Sequence, residues 1–428
     1  MTEQEHFPEA NVAKRLTGMV DQWRDEILAF TGELIATPSE TPPGDERKIA
    51  ALILDRLERL GLRGGMAVSQ APERPSVIFR LRGSGDGPRL LYIAHTDTKP
   101  VGDARSQWDT DPFRPVVRDG RLYGLGAADM KAAVAAFVYA AASLRQIEPL
   151  KGELILALVS DEEGGGRYGA HFLCQEYGLT ADMALIGEPP GIHREWEHLH
   201  IGCRGVFCFT IGVHGTQMHS SLSDRFPSVN ASLKAAELML RMSRELKFTF
   251  EPHPLCPGGT TLNLGVQLKG GVYFGVYPGY AEFSTDLRTV PGMRREQAIR
   301  DLEEFLAARQ REDPNLKLEL RFRPSPADWI APSEINPDHV LVKALEWASE
   351  HVLGFRPPLS IYPAGTDAPK FQLIAGIPTV PAFGAGLISV AHGPNEWVGV
   401  ESIIQACKIY VLAAHTILSR GAGEAQAL

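Results

Sequence analysis

The sequence predicts an α/β protein: a discontinuous domain with a mainly parallel sheet flanked by helices, into which a smaller α+β domain is inserted. Three observations predict it. Short apolar runs of strand length alternate with helix-period segments as far as residue 200. From there the runs become longer and the order changes to strand, helix, strand, strand, helix, strand. After about residue 325 the chain returns to apolar helices of the first kind. The expected organisation is residues 1–200 and 325–428 for the first domain and 201–324 for the insert.

The elements follow in order. "VDQWRDEILAFTGELIATPSETPPGDE" begins as an amphipathic helix and ends in a proline-rich loop. "ERKIAALILDRLERLGL" is a second helix, closed by Gly61. "SVIFRLRG" and "RLLYIAHTD" are strands, "DMKAAVAAFVYAAASL" a helix, and "GELILALVS" a buried strand. "YGAHFLCQEYG" is a helix and "ADMALIGEP" a strand. In the insert, "GVFCFTIGVHG", "TTLNLGVQLKGG", "YAEFSTDLRTV" and "LKLELRFRP" are strands, with helices "NASLKAAELMLRMSREL" and "MRREQAIRDLEEFLAARQR" between them. "HVLVKALEWASEHV" and "SIIQACKIYVLAAHTIL" close the first domain.

Composition narrows the function classes. Of 428 residues, 44% are hydrophobic, enough for a large core and two domains. Lys and Arg number 43 against 52 Asp and Glu, a formal charge of −9 with no basic stripe, which argues against nucleic acid and anionic membranes as partners. Five scattered cysteines form no CxxC pair, and the N-terminal stretch has no apolar signal core, so a reducing, cytoplasmic setting is expected. The run "AAVAAFVYAAAS" is too short to span a bilayer.

The acids and histidines cluster at strand ends, where open α/β sheets gather their ligands. "LLYIAHTD" ends in His95 and Asp97, "LILALVSDEE" in Asp161, Glu162 and Glu163, and "MALIGEP" in Glu188; Asp129 opens a helix in "GLGAADMK", and "AHGPNEW" carries His392. Singly, each has a plainer reading: a hydrogen-bonded histidine, a helix cap, a solvated turn. Jointly they would not all fall at one sheet edge by accident. His95, Asp129, Glu163, Glu188 and His392 form an oxygen and nitrogen donor set without thiolate, suited to Zn, Mn or Co. Five ligands exceed one open tetrahedral site and suit two ions about 3.5–4 Å apart, with Asp129 as the bridge. Asp97, two residues from His95 on a strand, points to the same side and can accept the histidine's second N–H. Glu162, beside Glu163, is then free to act as general base toward water.

These residues resemble the di-metal peptidases that include acetylornithine deacetylase, succinyl-diaminopimelate desuccinylase, aminoacylase and bacterial glutamate carboxypeptidase. "AHTDTKPVGDARSQWDTDPFRPVVRDGRLYGLGAADMK" is similar to the family's H-x-D, W-x-x-x-P-F and G-x-G-x-x-D-x-K elements in order, and "SDEEGGG" and "GEP" follow at suitable distances. The resemblance implies the same five metal ligands, with Glu162 as base. It implies that the first domain is catalytic and that the insert is a lid through which homodimers form. It also implies that His219 polarises the scissile carbonyl, that Arg288 binds a substrate carboxylate, and that Asn263 and the loop at Gly365 contact substrate. Bland readings stand beside these: a polar cap for His219, an outward strand residue for Arg288. The chain departs from the family at Leu125, Ala132 and Gly275; the aromatics Tyr273, Phe274 and Tyr277 around the last read as lid core.

The function implied is hydrolysis of an amide C–N bond in a small, carboxylate-bearing N-acyl amino acid or dipeptide-like molecule. Two other readings use the same residues: an aminohydrolase that releases ammonia from a small aromatic amino acid of the aminobenzoate type, and a non-catalytic metal-dependent binding protein. No HExxH element or phosphate-loop lysine pattern is present, and "GLGAAD" is a poor dinucleotide fingerprint.

Overall fold

A computed structural model describes residues 7–85, 87–147, 150–323 and 328–421. They divide into two compact units. The first comprises the chain up to Gly202, then Glu334–Tyr362 and the chain from Thr366; the second comprises Cys203–Ser333 with Pro363–Gly365. The expected boundary at 324/325 lies outside the described residues.

The first unit is built on a six-stranded sheet, ordered Met66–Val68, Ser76–Arg82, Glu153–Val159, Arg89–His95, Met183–Ile186, Thr379–Val380. The last four run parallel, and the first two form an antiparallel edge. The parallel strands are apolar nearly throughout because helices cover both faces, so alternation is lost. Helix Ala132–Arg145 explains its own alanines. Nearly every residue in it is buried, and a Cβ placed on Gly187 would lie 2.6 Å from Ala133 Cβ, so helix and sheet meet at a distance only small side chains permit. The segment Ala127–Arg145 is long and apolar enough to cross a membrane by length and composition, with mean hydropathy 1.3, yet it is wholly buried inside the protein.

The expected first helix is in fact two. Ala10–Gln22 and Arg24–Ile35 meet at Trp23, whose N–H is shared between Met19 O and Val20 O. The helix expected after Gly166 is a five-residue π turn, Arg167–His171, followed by one α turn, Phe172–Gln175. Short strands at Val116–Arg118, Arg121–Tyr123, Leu359–Tyr362 and Trp397–Gly399 carry too little periodicity to have been foreseen.

The second unit holds a sheet ordered Thr261–Gly270, Tyr280–Arg288, Val206–His214, Lys317–Phe322, antiparallel at each of these pairings, with helices Ala231–Glu245 and Arg295–Glu312. A separate two-stranded ribbon pairs Met218–His219 with Val276–Tyr277. Tyr273 and Phe274, just before Val276 in the turn that follows strand Thr261–Gly270, are 78% and 92% exposed. They are therefore not lid core, contrary to the expectation from their aromatic character. None of the five cysteines forms a disulfide.

Candidate metal centre

Register brings the ligands to one edge. His95 pairs with Val159 across parallel strands, and Ile93 pairs with Ile186 on the other side. The residues just beyond these strand ends, 161–163 and 188, therefore emerge beside His95. Asp129 reaches the same place from the turn before helix Ala132–Arg145, where its backbone is non-helical (φ −122°, ψ 88°) and its peptide to Met130 is cis. His392 arrives on a loop residue in left-handed conformation (φ 59°).

Within the cluster, Asp129 offers one oxygen to each histidine. Its Oδ1 lies 2.8 Å from His95 Nε2 and its Oδ2 3.2 Å from His392 Nε2. Glu188 Oε1 lies 3.7 Å from His95 Nε2, and Glu163 Oε1 2.9 Å from His392 Nε2. Donor atoms of His95, Asp129 and Glu163 fall within 4.8 Å of one another, as do those of His95, Glu162 and Glu188. Except at His392, whose side chain is 47% exposed, these groups are largely withdrawn from water.

The cluster sets carboxylates and imidazoles against one another with little water between them. Burial, then the carboxylate of Asp367, push the Glu162 carboxyl up to about 8. Burial and Asp129 push Glu188 well above the carboxylate range. Burial would raise Asp129 too, but hydrogen bonds with His392 and His95 hold it below the usual range. Burial would lower both histidines; contact with Asp129 instead raises His95 well above its ordinary value and, with Glu163, His392 to about 10. Without a cation, so many like charges ionise together only where protons on imidazole offset them. Two imidazoles, three carboxylates and no thiolate make a donor set that fits divalent metal ions.

Asp97 plays a different part from the one its spacing suggests. The strand ends at His95, and His95 Nδ1 meets the backbone carbonyl of Asp97 at 2.9 Å while the carboxylate stays 3.7 Å away. The carboxylate instead accepts the N–H groups of Glu162 and Glu163 at 3.1 and 3.2 Å. It ties down the backbone of Glu162 and Glu163, and the Nδ1 of His95 is partnered by main chain. Asp161, the first acid of "DEE", faces away from the cluster. Its carboxylate accepts from Arg74 at 2.7 Å and from Tyr168 N at 2.9 Å, and its φ is 64°. Gly164 follows from this, since a Cβ there would lie 2.3 Å from Asp161 Oδ1.

Two residues of the site escaped the sequence reading. Glu396 is buried, and its carboxylate accepts from Gly126 N, Ala128 N and Asp129 N at 2.9, 2.9 and 3.0 Å. Lys99 lies 2.9 Å from Glu163 Oε2. The first stands in the same "AHGPNEW" as His392 and the second in "AHTDTKP" with His95, which is the only signal either gives.

The remaining candidates lie in the second unit. His219 accepts at Nδ1 from Ser221 N at 3.3 Å and contacts Ser221 Oγ at 2.8 Å, so it does cap a turn, and an accepting Nδ1 leaves the ring proton on Nε2 as a donor. Arg288 donates to Asp286 Oδ2 at 2.9 Å, and Asn263 is paired across the sheet with Asp286, so the three share one face. Gly365 belongs to this unit as well, and a Cβ on it would come no nearer than 3.7 Å to Val206.

The family model described as peptidase family M20/M25/M40 matches residues 91–416. The chain is 31% identical over 404 residues to a succinyl-diaminopimelate desuccinylase of Nitrosomonas eutropha, covering 92% of this chain and 99% of that one. It is 35% identical over 283 residues to the desuccinylase of Xanthomonas campestris, covering 65% and 72%. Its fold is shared with an M20 family metallo-carboxypeptidase of Sulfolobus solfataricus, at TM-score 0.72 and 21% identity over 92% of this chain and 100% of the other. The match runs from the strand that ends in His95 to the last helix and so takes in every residue of the cluster: the chain belongs to peptidase family M20/M25/M40.

Proposed function

We propose that His95, Asp129 and Glu188 hold one divalent ion, that Asp129, Glu163 and His392 hold a second, and that the protein hydrolyses the amide bond of a small, carboxylate-bearing N-acyl amino acid or dipeptide-like substrate. One observation carries this reading: Asp129 turns its two oxygens to two different histidines, each with a further glutamate beside it. Bound Zn, Mn or Co would supply positive charge that polarises the amide carbonyl and acidifies water.

The chain's own groups do the rest. Glu162 takes a proton from water as the water oxygen bonds to the carbonyl carbon. The C–N bond breaks, and Glu162 delivers that proton to the departing nitrogen, leaving carboxylate and amine. Asp97 keeps Glu162 and Glu163 aligned through their backbone N–H groups. His219, with its proton on Nε2, is the donor for the developing oxyanion, and Arg288, steadied by Asp286, recognises the substrate carboxylate, with Asn263 and the Gly365 loop as further substrate contacts. Five cysteines without a disulfide support a cytoplasmic setting. Exposed leucines on the second unit support a homodimer formed through it.

Glu162→Gln tests the mechanism. It should keep bound metal while kcat falls about a thousandfold or more; turnover near wild type would end the reading. Release of acetate or succinate from acylated amino acids, followed in parallel with ammonia from aminobenzoates, separates deacylase from aminohydrolase. Inactivity of the metal-loaded protein on both sets would favour a binding role.

A further inference from the structure

Lys99 carries a fixed positive charge to one half of the cluster. Its Nζ lies 2.9 Å from Glu163 Oε2 and donates to the Glu163 carbonyl at 2.5 Å, while Glu163 Oε1 faces His392. The lysine is held at its base. Thr98 N donates to Ser39 O at 3.0 Å, Thr98 O accepts from Thr41 N at 2.8 Å, and beyond Pro100 the N–H of Val101 donates to Glu40 Oε1 at 2.8 Å. The Lys99 side chain is 38% exposed and that of Glu163 only 5%, so the pair is partly shielded from water. In the other half Lys370 is taken up by Asp367 at 2.6 Å, and among the described residues Glu188 is ion-paired with His95 alone.

We infer that Lys99 makes the two metal positions unequal. The ammonium engages one oxygen of Glu163 and lowers the negative potential there, so an ion entering between Asp129, Glu163 and His392 works against it. The position built on His95, Asp129 and Glu188 fills first, and the other fills only at higher metal concentration. Lys99 is thus a positioning residue: it steadies Glu163, and through the shared backbone Glu162, while the second position is empty. This rests on the ligand assignment proposed above.

Stepwise binding of Zn or Mn to chelator-stripped protein tests it, by titration calorimetry and by metal content after equilibrium dialysis. Two events are expected in the wild type, with dissociation constants about tenfold or more apart. Lys99→Met should tighten the weaker event about tenfold, Lys99→Arg should leave the gap as it is, and His392→Ala should remove the weaker event alone. Lys99→Gln serves as a second neutral variant, and thermal unfolding of the metal-free forms verifies that each is folded. Two equal events in the wild type, or an unchanged gap in both neutral variants, would overturn the inference while leaving the ligand assignment standing. Absence of any binding to the wild type would instead remove that assignment, and the inference with it.

Discussion

The carboxylate of Glu396 accepts three backbone N–H groups across 126–129, from a position about 270 residues away in sequence. It does for Asp129 what the carboxylate of Asp97 does for Glu162 and Glu163: a buried acid collects main-chain donors and so fixes a neighbouring side chain. Glu396→Gln keeps the shape but turns an amide N–H₂ toward groups that can only donate. Metal affinity should fall about tenfold or more, measured by equilibrium dialysis, with Glu396→Asp recovering part of it; wild-type affinity in the glutamine variant would refute the role. The sequence made His95, Asp129, Glu163, Glu188 and His392 legible because each stands at the end of an apolar run or at a helix start. Glu396 and Lys99 were not legible, since their partners are reached only through folding. Asp97 was legible as important but for the wrong reason, because the strand stops at His95, two residues before it, and the backbone then turns.

Among elements, the strand Leu199–Cys203 illustrates what burial does to a titratable group. His200 Nε2 contacts Pro190 O at 2.9 Å, and its Nδ1 is buried without a hydrogen bond. Burial pushes this imidazole down to about 4. The folded protein therefore binds fewer protons than the unfolded chain between the unfolded value near 6.5 and about 4. Stability contributed at neutral pH should be lost as pH falls through that window, by up to about 3 kcal/mol from this residue. Denaturant unfolding of metal-free protein at pH 7 and pH 5 measures it: the loss should be smaller in His200→Asn than in wild type, and equal losses would exclude His200 as the source. Long strands and helices were readable from periodicity. The break at Trp23 and short strands such as Leu359–Tyr362 and Thr379–Val380 were not, because each is set by neighbours rather than by its own pattern. The almost wholly buried helix Ala132–Arg145 shows no amphipathic stripe for the same reason.

For the whole molecule, the open question is assembly. On the second unit, helix Ala231–Glu245 exposes Leu233 (67%) and Leu240 (56%), and the edge strand Thr261–Gly270 exposes Val266 (59%) and Leu268 (61%). An unprotected edge strand with apolar side chains is a site for pairing with another chain. Light scattering should give twice the 46.8 kDa of one chain, and Leu240→Glu with Leu268→Glu should give one chain; a wild-type monomer would exclude the proposed dimer. The sequence by itself determined the α/β class and the family and showed acids and histidines gathered at strand ends, because strand periodicity and strand-end chemistry are written locally along the chain. Only the tertiary structure decided that Asp129 divides its oxygens between two histidines, that Asp97 and Glu396 act through main-chain donors, that Lys99 sits against Glu163, and that Tyr273 and Phe274 face water. Those outcomes depend on which distant segments meet and how much water is excluded where they do, and neither quantity is carried by the spacing of residues.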